Sequence, residues 1–241
     1  VSTSAGLDRF RKNFPDNYID CGIAEQNMMN IAAGLASENF NVVTTSFAPF
    51  QTMRCLEQIK VNLGYMKNKV TMVGLASGLV LGPLGYTHCC IEDLSVIRSI
   101  PNINIISPSD TLETAKATIA CLKNNQSSYI RLTGGANRPK IYEEDYEFQI
   151  GMPVSIIKGE DILIISNGQM VHNAKVAVNF LREQKIYPSL LNFHTLKPIN
   201  EDYFLDIIKN YKLIFTVEEH SIIGGLFSTI TETIAKNGIN K

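Results

Sequence analysis

Short β-branched segments alternate with helical patterns along the chain, and this alternation restricts the fold more than any other feature. The strand-like segments are residues 18–23, 42–46, 70–74, 103–107, 128–132, 161–166, 188–192 and 213–217. The helical patterns are residues 28–36, 51–63, 111–123, 170–184, 201–209 and 226–236. Asp110 is the predicted N-cap of the helix at residues 111–123, with Glu113 at the reciprocal position of a capping box. Strands and helices that alternate at this spacing form βαβ units, so the sequence predicts an α/β fold with mainly parallel sheets.

The alternation is interrupted once, and this interruption predicts the domain organisation. Residues 134–150 combine glycines, a proline and an acidic stretch, which break regular structure, and the alternation then restarts. We therefore predict two three-layer domains, residues 1–133 and 151–241, joined by a linker. The chain starts at Val1 and ends just after a helical pattern. We expect a fragment of a longer protein or a chain with disordered ends, and an incomplete second domain.

Charge and cysteine content argue against several classes of protein. The net charge is −1, without the basic excess of a nucleic-acid-binding protein. No apolar segment approaches the roughly 18 residues of a membrane span. Five cysteines without a secretory signal indicate reduced thiols in the cytoplasm. Cys89 and Cys90 beside His88 lack the spaced pairs of a metal site, so we predict no metal ligands in this chain.

Side chains that follow the strands are the candidates for function, because ligands bind beyond the carboxyl ends of parallel strands. Glu25 lies at the first turn of a helical pattern, where an acid commonly does no more than stabilise the helix start. Phe47 and Phe50 follow a strand and form either a stacking surface or part of the core. His88 ends a glycine-rich loop, a better catalytic position than an apolar helix face. Position alone leaves these alternatives open.

Five motifs together resemble one family. They are Gly22-Ile23-Ala24-Glu25-Gln26-Asn27, Phe47-x-x-Phe50, Thr87-His88 with Glu92-Asp93, Ile100-Pro101-Asn102 followed by Ser107-Pro108-Ser109-Asp110, and Val217-Glu218-Glu219-His220-Ser221-Ile222-Ile223-Gly224-Gly225. In this order they resemble transketolases over essentially the whole chain. The chain looks most like the C-terminal subunit of split, two-chain transketolases, and it is also similar to deoxyxylulose-phosphate synthases.

The resemblance implies a pyrimidine-binding domain, then a transketolase C-terminal domain, in a thiamine-diphosphate-dependent transferase of two-carbon ketol units or a related carboligase. Glu25 would activate the cofactor by a hydrogen bond to its pyrimidine ring, with a pKa raised by burial. Phe47 and Phe50 would flank that ring, and His88 would lie near the carbonyl of a small sugar or keto substrate. A partner, the N-terminal diphosphate-binding subunit, would hold the diphosphate and Mg²⁺. Two copies of each subunit would form a heterotetramer.

Three positions depart from the family pattern. Leu84 stands where transketolases usually carry an acid that contacts the donor sugar, and Cys89 replaces the usual glutamine. The expected phosphate-binding arginine falls on Gly134, although Arg138 could substitute for it. We therefore expect a substrate other than a standard pentose phosphate, less polar or without a phosphate.

Two other interpretations remain open at this point. The first is the β subunit of a 2-oxoacid dehydrogenase, which shares the domain order and the acid, although its helix-start motif usually differs from Ala24-Glu25-Gln26-Asn27. The second is a non-catalytic α/β subunit that scaffolds or regulates a partner. The intact Glu25 argues against this second interpretation, whereas the lost substrate-binding residues support it.

Overall fold

The computed structural model describes residues 5–134 and 139–239, and its strands and helices follow the sequence pattern closely. The strands in these ranges are β1 (Val42–Phe47), β2 (Val70–Leu75), β3 (Ile103–Ile106), β4 (Ser127–Arg131), β5 (Val154–Ile157), β6 (Ile162–Ser166), β7 (Ser189–Asn192), β8 (Thr195–Lys197) and β9 (Leu213–Val217). The α-helices there are α1 (Asp8–Asn13), α2 (Glu25–Ser37), α3 (Ala48–Gln51), α4 (Leu56–Gln58), α5 (Asp93–Arg98), α6 (Thr111–Lys123), α7 (Met170–Glu183), α8 (Glu201–Ile208) and α9 (Leu226–Lys236). Helical turns of other types are Pro15–Asn17, Met53–Cys55, Ile59–Tyr65 and Gly82–Leu84.

The strands form two mainly parallel sheets, so the predicted fold class is confirmed. In the first sheet the order is β1-β2-β4-β3-β8, and only β8 is antiparallel to its neighbour. In the second sheet the order is β5-β7-β6-β9, and only β5 is antiparallel. Except for residues 18–23, each of the strand-like segments of the sequence becomes a strand whose ends differ by at most one residue from the prediction.

The two antiparallel strands were not predicted from the sequence. Both are short and lie at sheet edges, where the hydrophobic pattern is weak. Strand β8 lies beyond β7 in the chain, yet it pairs with β3 of the first sheet. The later part of the chain therefore completes the first sheet, and the domain division at residues 133 and 151 stays a prediction.

Helices cover both faces of the first sheet. On one face, Met29 of α2 and Leu94 and Ile97 of α5 are fully buried in the same cluster as residues of β2 and β3. On the other face, Ala117 and Cys121 of α6 pack against Ile106 and Ile130. Strands β3 and β4 are buried along their whole length, as expected for parallel strands covered on two sides.

The prediction of one regular helix over residues 51–63 is wrong, because the segment is divided into several short helical pieces. The hydroxyl of Thr52 donates a hydrogen bond to the Ala48 carbonyl at 2.6 Å, and the Thr52 backbone leaves the helical region at φ −108° and ψ −79°. The chain continues through a 3₁₀ turn and then through the π-helical segment Ile59–Tyr65. The segment is therefore helical overall but interrupted beside the candidate aromatic residues.

The prediction of a strand just before Glu25 is also wrong. Residues 18–23 form neither a helix nor a strand. The Gly22 N–H donates to Oδ1 of Asp20 at 2.9 Å, and Gly22 has φ +68°. A turn of this kind satisfies the backbone locally, so the segment does not need to pair with the sheet.

A fully buried acid, Glu113, connects α6 with the second sheet. Asp110 caps α6 as predicted, because its Oδ1 accepts the Glu113 N–H at 2.8 Å. The reciprocal contact of the predicted capping box is displaced by one residue, since Oε2 of Glu113 accepts the N–H of Ser109 at 2.6 Å. Asn192 at the end of β7 donates to both oxygens of Glu113 at 3.0 Å.

Two tyrosines of the predicted linker also bind this acid, although the sequence indicated a solvated stretch there. Tyr142 and Tyr146 stack with ring centroids 4.1 Å apart, and each hydroxyl donates to Oε1 of Glu113 at 2.7 Å. Burial, followed by the charge of Glu113, raises the pKa of both tyrosines. The tyrosines are therefore neutral donors that fix this segment between the two sheets.

Asp93, the first residue of α5, forms a buried ion pair at the carboxyl end of the first sheet. Nε of Arg131 donates to both Asp93 oxygens at 3.1 and 2.9 Å, and the Tyr129 hydroxyl donates to Oδ2 at 2.7 Å. Nη2 of Arg131 also donates to the carbonyls of Cys90 and Glu219 at 3.2 and 3.0 Å. One arginine thus joins β4, α5 and a loop of the second sheet.

His220 lies beside this ion pair as a neutral ring. Its Nε2 accepts the N–H of Leu94 at 3.2 Å, and its Nδ1 donates to the Ser221 carbonyl at 2.7 Å. Burial lowers the pKa of His220, although Asp93 at 3.6 Å acts in the opposite direction. The ring therefore connects the second sheet to α5 by hydrogen bonds rather than by charge.

We predict that Asp93→Ala lowers the free energy of unfolding by about 3–5 kcal/mol, because it leaves the Arg131 charge buried without a partner. Urea denaturation followed by circular dichroism measures this loss. The control is Asp161→Ala, which removes an exposed ion pair with Lys212 and should leave the midpoint almost unchanged. Equal shifts in the two variants would contradict the prediction.

Candidate active site

Glu25 is a buried carboxylate at the start of a helix. It is the first residue of α2 and is only 7% exposed, so its side chain lies at the positive end of the helix dipole. The Ser46 hydroxyl donates to Oε1 at 3.3 Å, and Nη1 of Arg54 donates to Oε2 at 2.8 Å. Both carboxylate oxygens therefore have a donor from the chain itself.

The pKa of Glu25 differs from the expectation drawn from the resemblance. Burial by itself raises this pKa, as expected, but the hydrogen bonds and the charge of Arg54 act in the opposite direction and prevail. The pKa of Glu25 is therefore lowered, and the expectation of a raised pKa is wrong for this chain by itself. The reason is Arg54, which the sequence-based prediction did not include.

Phe47, Phe50 and His88 form one aromatic cluster. The Phe50 ring lies edge to face with His88 at 5.3 Å between centroids and with Phe47 at 6.1 Å. Phe47 and His88 are 6.3 Å apart. Each of the three side chains is partly buried, so part of the cluster is accessible to a ligand. The structure brings these three predicted residues together, at the end of β1, in α3 and in the loop after β2.

Arg54 connects Glu25 with this aromatic cluster. Its guanidinium carbon lies 3.9 Å from the centroid of the Phe50 ring, and its Nη1 binds Glu25. The Gln26 amide donates to the Arg54 carbonyl at 3.0 Å. The sequence carried one signal for this residue, because Arg54 is the single arginine of the helical pattern at residues 51–63.

The loop that carries His88 is closed at its base by a backbone bridge. Gly78 and Cys90 exchange two backbone hydrogen bonds of 2.7 and 2.8 Å, and the Cys90 carbonyl also binds Arg131. Gly78 has φ +73°, and a Cβ there would meet Oε2 of Glu219 at 2.2 Å, so glycine is required. Within the loop, the Thr87 hydroxyl lies 2.9 Å from Nδ1 of His88.

The three positions that depart from the family pattern lie near this loop or in the segment after β4. Leu84 is 55% exposed in a 3₁₀ turn of the loop, and Cys89 is partly buried next to His88. Gly134 has φ +141°, a conformation that disfavours an arginine side chain. Arg138, the possible substitute, lies outside the described residues.

A groove of about 370 Å³ lies beside Glu25 and fits part of a flat nitrogen heterocycle. It is lined by Ile23, Ala24, Glu25, Gln26, Asn27 and Arg54. Such a ring needs a polar anchor for its nitrogen, and Glu25 lines the groove. An aromatic wall would also stabilise it, and Phe50 reaches the groove only through its contact with Arg54. Ile23 is 95% exposed at the rim.

The described ranges offer no comparable place for a metal ion. Within residues 5–134 and 139–239, no three His, Cys, Asp or Glu side chains are arranged to hold one. The site in this chain therefore consists of a carboxylate, an aromatic cluster and an arginine.

None of the helices in the described ranges is long and apolar enough to cross a membrane.

Two family models match the chain. The model described as "Transketolase, pyrimidine binding domain" matches residues 1–139, and the model described as "Transketolase, C-terminal domain" matches residues 154–241. Together they include Glu25 and the aromatic cluster in the first match and the His220 loop in the second.

Individual proteins are similar over nearly the whole chain. An apulose-4-phosphate transketolase subunit of Phocaeicola vulgatus is 36% identical, with 98% of this chain and 76% of that protein covered. The 6-deoxy-6-sulfo-D-fructose transketolase subunit SqwH of a Clostridium species is 34% identical, with 98% and 73% covered. A solved structure described as "Split gene transketolase, inactive beta4 tetramer" superposes with a TM-score of 0.88 at 30% identity, covering 98% of this chain and 76% of that one.

We predict that alkylation of the native chain distinguishes the adjacent cysteines. Burial raises the pKa of Cys55 and Cys90 to about 12 and that of Cys121 to about 11, whereas Cys21 and Cys89 are partly exposed. Iodoacetamide at pH 8 should therefore modify Cys89 before Cys90, and the three buried thiols should react only in urea. Mass spectrometry of the peptides measures this order. Equal rates at Cys89 and Cys90 would contradict it.

Proposed function

The chain belongs to the transketolase family, and we propose that it is the pyrimidine-binding subunit of a two-chain, thiamine-diphosphate-dependent transferase. The reaction in this proposal is the transfer of a two-carbon ketol unit or a related carboligation. The observation that carries the proposal is the buried Glu25 carboxylate at a helix start, joined through Arg54 to the Phe50 ring. Glu25 and Arg54 line one accessible groove, and Arg54 also contacts the Phe50 ring, which lies outside that lining.

Each site residue has a definite task in this proposal. Thiamine diphosphate supplies an electron sink for cleavage next to a carbonyl group when it is bound. Glu25 holds a proton at the pyrimidine nitrogen, and Phe47 and Phe50 pack against the pyrimidine faces. His88, whose ring lies 5.3 Å from that of Phe50, orients the substrate carbonyl and exchanges a proton with it.

We assign the diphosphate and its Mg²⁺ to a second chain, the N-terminal subunit. The exposed side chains of Ile23 and Tyr86, 95% and 86% accessible, support this assignment because apolar surface beside a site is typical of an interface. The similar solved structure is described as an inactive β4 tetramer, which suits a subunit that needs a partner. We propose a heterotetramer with two copies of each chain.

The cysteines support a location in the cytoplasm. Cys21, Cys55, Cys89, Cys90 and Cys121 are free thiols in the structure. Free thiols persist where the compartment is reducing, so we propose that the enzyme acts there.

We predict that Glu25→Gln lowers turnover of the assembled enzyme by at least about 100-fold, because the amide cannot hold the proton that the carboxylate holds. The variant should still bind the partner subunit, which sedimentation of the complex measures. Glu38→Gln, an exposed acid just beyond the other end of α2, is the matched control and should keep full turnover. Full turnover of Glu25→Gln would overturn the catalytic role and favour a scaffold subunit.

We further propose that the substrate is a sugar or keto compound other than a standard pentose phosphate. Leu84 and Cys89 replace polar residues of the family, and Gly134 replaces the phosphate-binding arginine in a backbone conformation that suits glycine. The names of two similar proteins give apulose 4-phosphate and 6-deoxy-6-sulfofructose as the compounds they act on. Both compounds differ from the standard pentose phosphates, but each carries an anionic group, so these names support an unusual sugar rather than a substrate without such a group.

We predict that the assembled enzyme turns over xylulose 5-phosphate at least about tenfold less efficiently than its best substrate, since one charge-assisted hydrogen bond contributes about that much. Steady-state kinetics with xylulose 5-phosphate, apulose 4-phosphate, 6-deoxy-6-sulfofructose and fructose tests this ranking. Leu84→Asp, which restores the acid in an exposed turn, should improve turnover of xylulose 5-phosphate. Efficient turnover of xylulose 5-phosphate by the unmodified enzyme would contradict the proposal on the substrate.

A further inference from the structure

Arg54 is the residue of the site that the family motifs did not single out, and it contacts two of the proposed cofactor-binding residues at once. Its Nη1 lies 2.8 Å from Oε2 of Glu25, and its guanidinium lies over the Phe50 ring at 3.9 Å. The two contacts use different parts of one planar group, its edge for the carboxylate and its face for the ring. The orientation of the Glu25 carboxylate is thereby coupled to that of the Phe50 ring.

The position of Arg54 itself is well defined. Its carbonyl accepts the amide of Gln26, the residue after Glu25 in α2. Arg54 lies in the 3₁₀ turn Met53–Cys55, and the Cys55 thiol donates to the Phe50 carbonyl at 3.2 Å. Together with the two contacts of the guanidinium, these two hydrogen bonds hold the irregular segment at four points to the start of α2 and to Phe50. It presents the guanidinium between the carboxylate and the aromatic ring.

Arg54 also favours the charged form of Glu25, both by its hydrogen bond and by its charge. The groups that act on Glu25 are Arg54, the Ser46 hydroxyl and the backbone N–H at the start of α2, and all of them favour the charged form. The Cys55 thiol is close enough for Glu25 to raise its pKa, which burial and this charge bring to about 12, so the thiol is neutral.

We infer that Arg54 is a positioning residue for the cofactor: it fixes the Glu25 carboxylate, in its charged form, at a set angle to the Phe50 ring, so that a pyrimidine meets both. This inference rests on the proposed function and adds to it a residue outside the family motifs. One oxygen of Glu25 is held by Arg54, and the other, with only a 3.3 Å contact to Ser46, is the oxygen that a pyrimidine nitrogen would take. Arg54 thus selects which oxygen stays available.

Two variants of Arg54 separate the effect of its charge from the effect of its planar shape. Arg54→Gln removes the charge, whereas Arg54→Lys keeps the charge but lacks the planar group that stacks on Phe50. Lys212→Gln is the control, because it removes an exposed ion pair with Asp161 in the second sheet. Binding of thiamine diphosphate to the complex with the partner subunit is measured by calorimetry from pH 8 down to the lowest pH at which the complex stays assembled. The Glu25 carboxyl is titrated by carbon-13 NMR in the free chain.

Arg54→Gln should weaken cofactor binding about tenfold at pH 7. Its Glu25 carboxyl should titrate at higher pH than in the wild type, and the acid limb of the binding profile should move in the same direction. Arg54→Lys should keep the wild-type acid limb yet bind the cofactor more weakly. Lys212→Gln should match the wild type in both measurements. A residue with a merely structural role would lower stability without moving the Glu25 titration.

Three results would overturn the inference or its premise. Unchanged or tighter cofactor binding by Arg54→Gln would show that Arg54 is dispensable or competes with the cofactor. An unchanged Glu25 titration in that variant would show that Arg54 does not set the charge of the carboxyl. A wild-type complex that binds no thiamine diphosphate would instead overturn the proposed function, whereas the NMR titration would still report on the contact itself.

Discussion

The buried pair of Asp93 and Arg131 is the interaction on which the arrangement of the site depends. An ion pair this deeply buried stays intact because separating its partners leaves an uncompensated charge. It fixes the start of α5 against the end of β4, and its spare N–H holds the Cys90 carbonyl at the base of the His88 loop. The same N–H group holds the Glu219 carbonyl of the second sheet. The position of His88 beside Phe50 therefore depends in part on a fully buried ion pair outside the aromatic cluster.

Much of the fold could be predicted from the sequence because buried parallel strands leave a strong local pattern. Strands such as β3 are rich in β-branched apolar residues and buried along their whole length, and a proline lies near each end of β3. Strands β5 and β8 could not be recognised, since an edge strand of three or four residues depends on its neighbour rather than on its own pattern. The acidic segment before β5 was misread for a similar reason: Tyr142 and Tyr146 are held by Glu113, about thirty residues away.

The candidate site, too, could be predicted from the sequence only in part. Glu25, Phe47, Phe50 and His88 were named from motifs, and the structure brings the three aromatic rings together, with Glu25 linked to Phe50. Arg54 was not named, because its partner Glu25 is 29 residues away and the intervening strand gives no hint of the contact. The predicted direction of the Glu25 pKa shift was wrong because Arg54, the Ser46 hydroxyl and a backbone N–H together outweigh burial. Burial can be read from a sequence, but a counter-charge that opposes it requires the fold.

Strand β8 has a consequence for how the protein is made. During synthesis, β1 to β4 leave the ribosome first, but the outer edge of β3 stays unpaired until residues 195–197 emerge. At about 5–20 residues per second, the intervening stretch takes roughly several seconds to appear. An open strand edge is a template for pairing with other chains. The nascent protein therefore passes through an interval in which its first sheet is formed but uncapped, and β8 ends that interval by closing the edge from within the same chain.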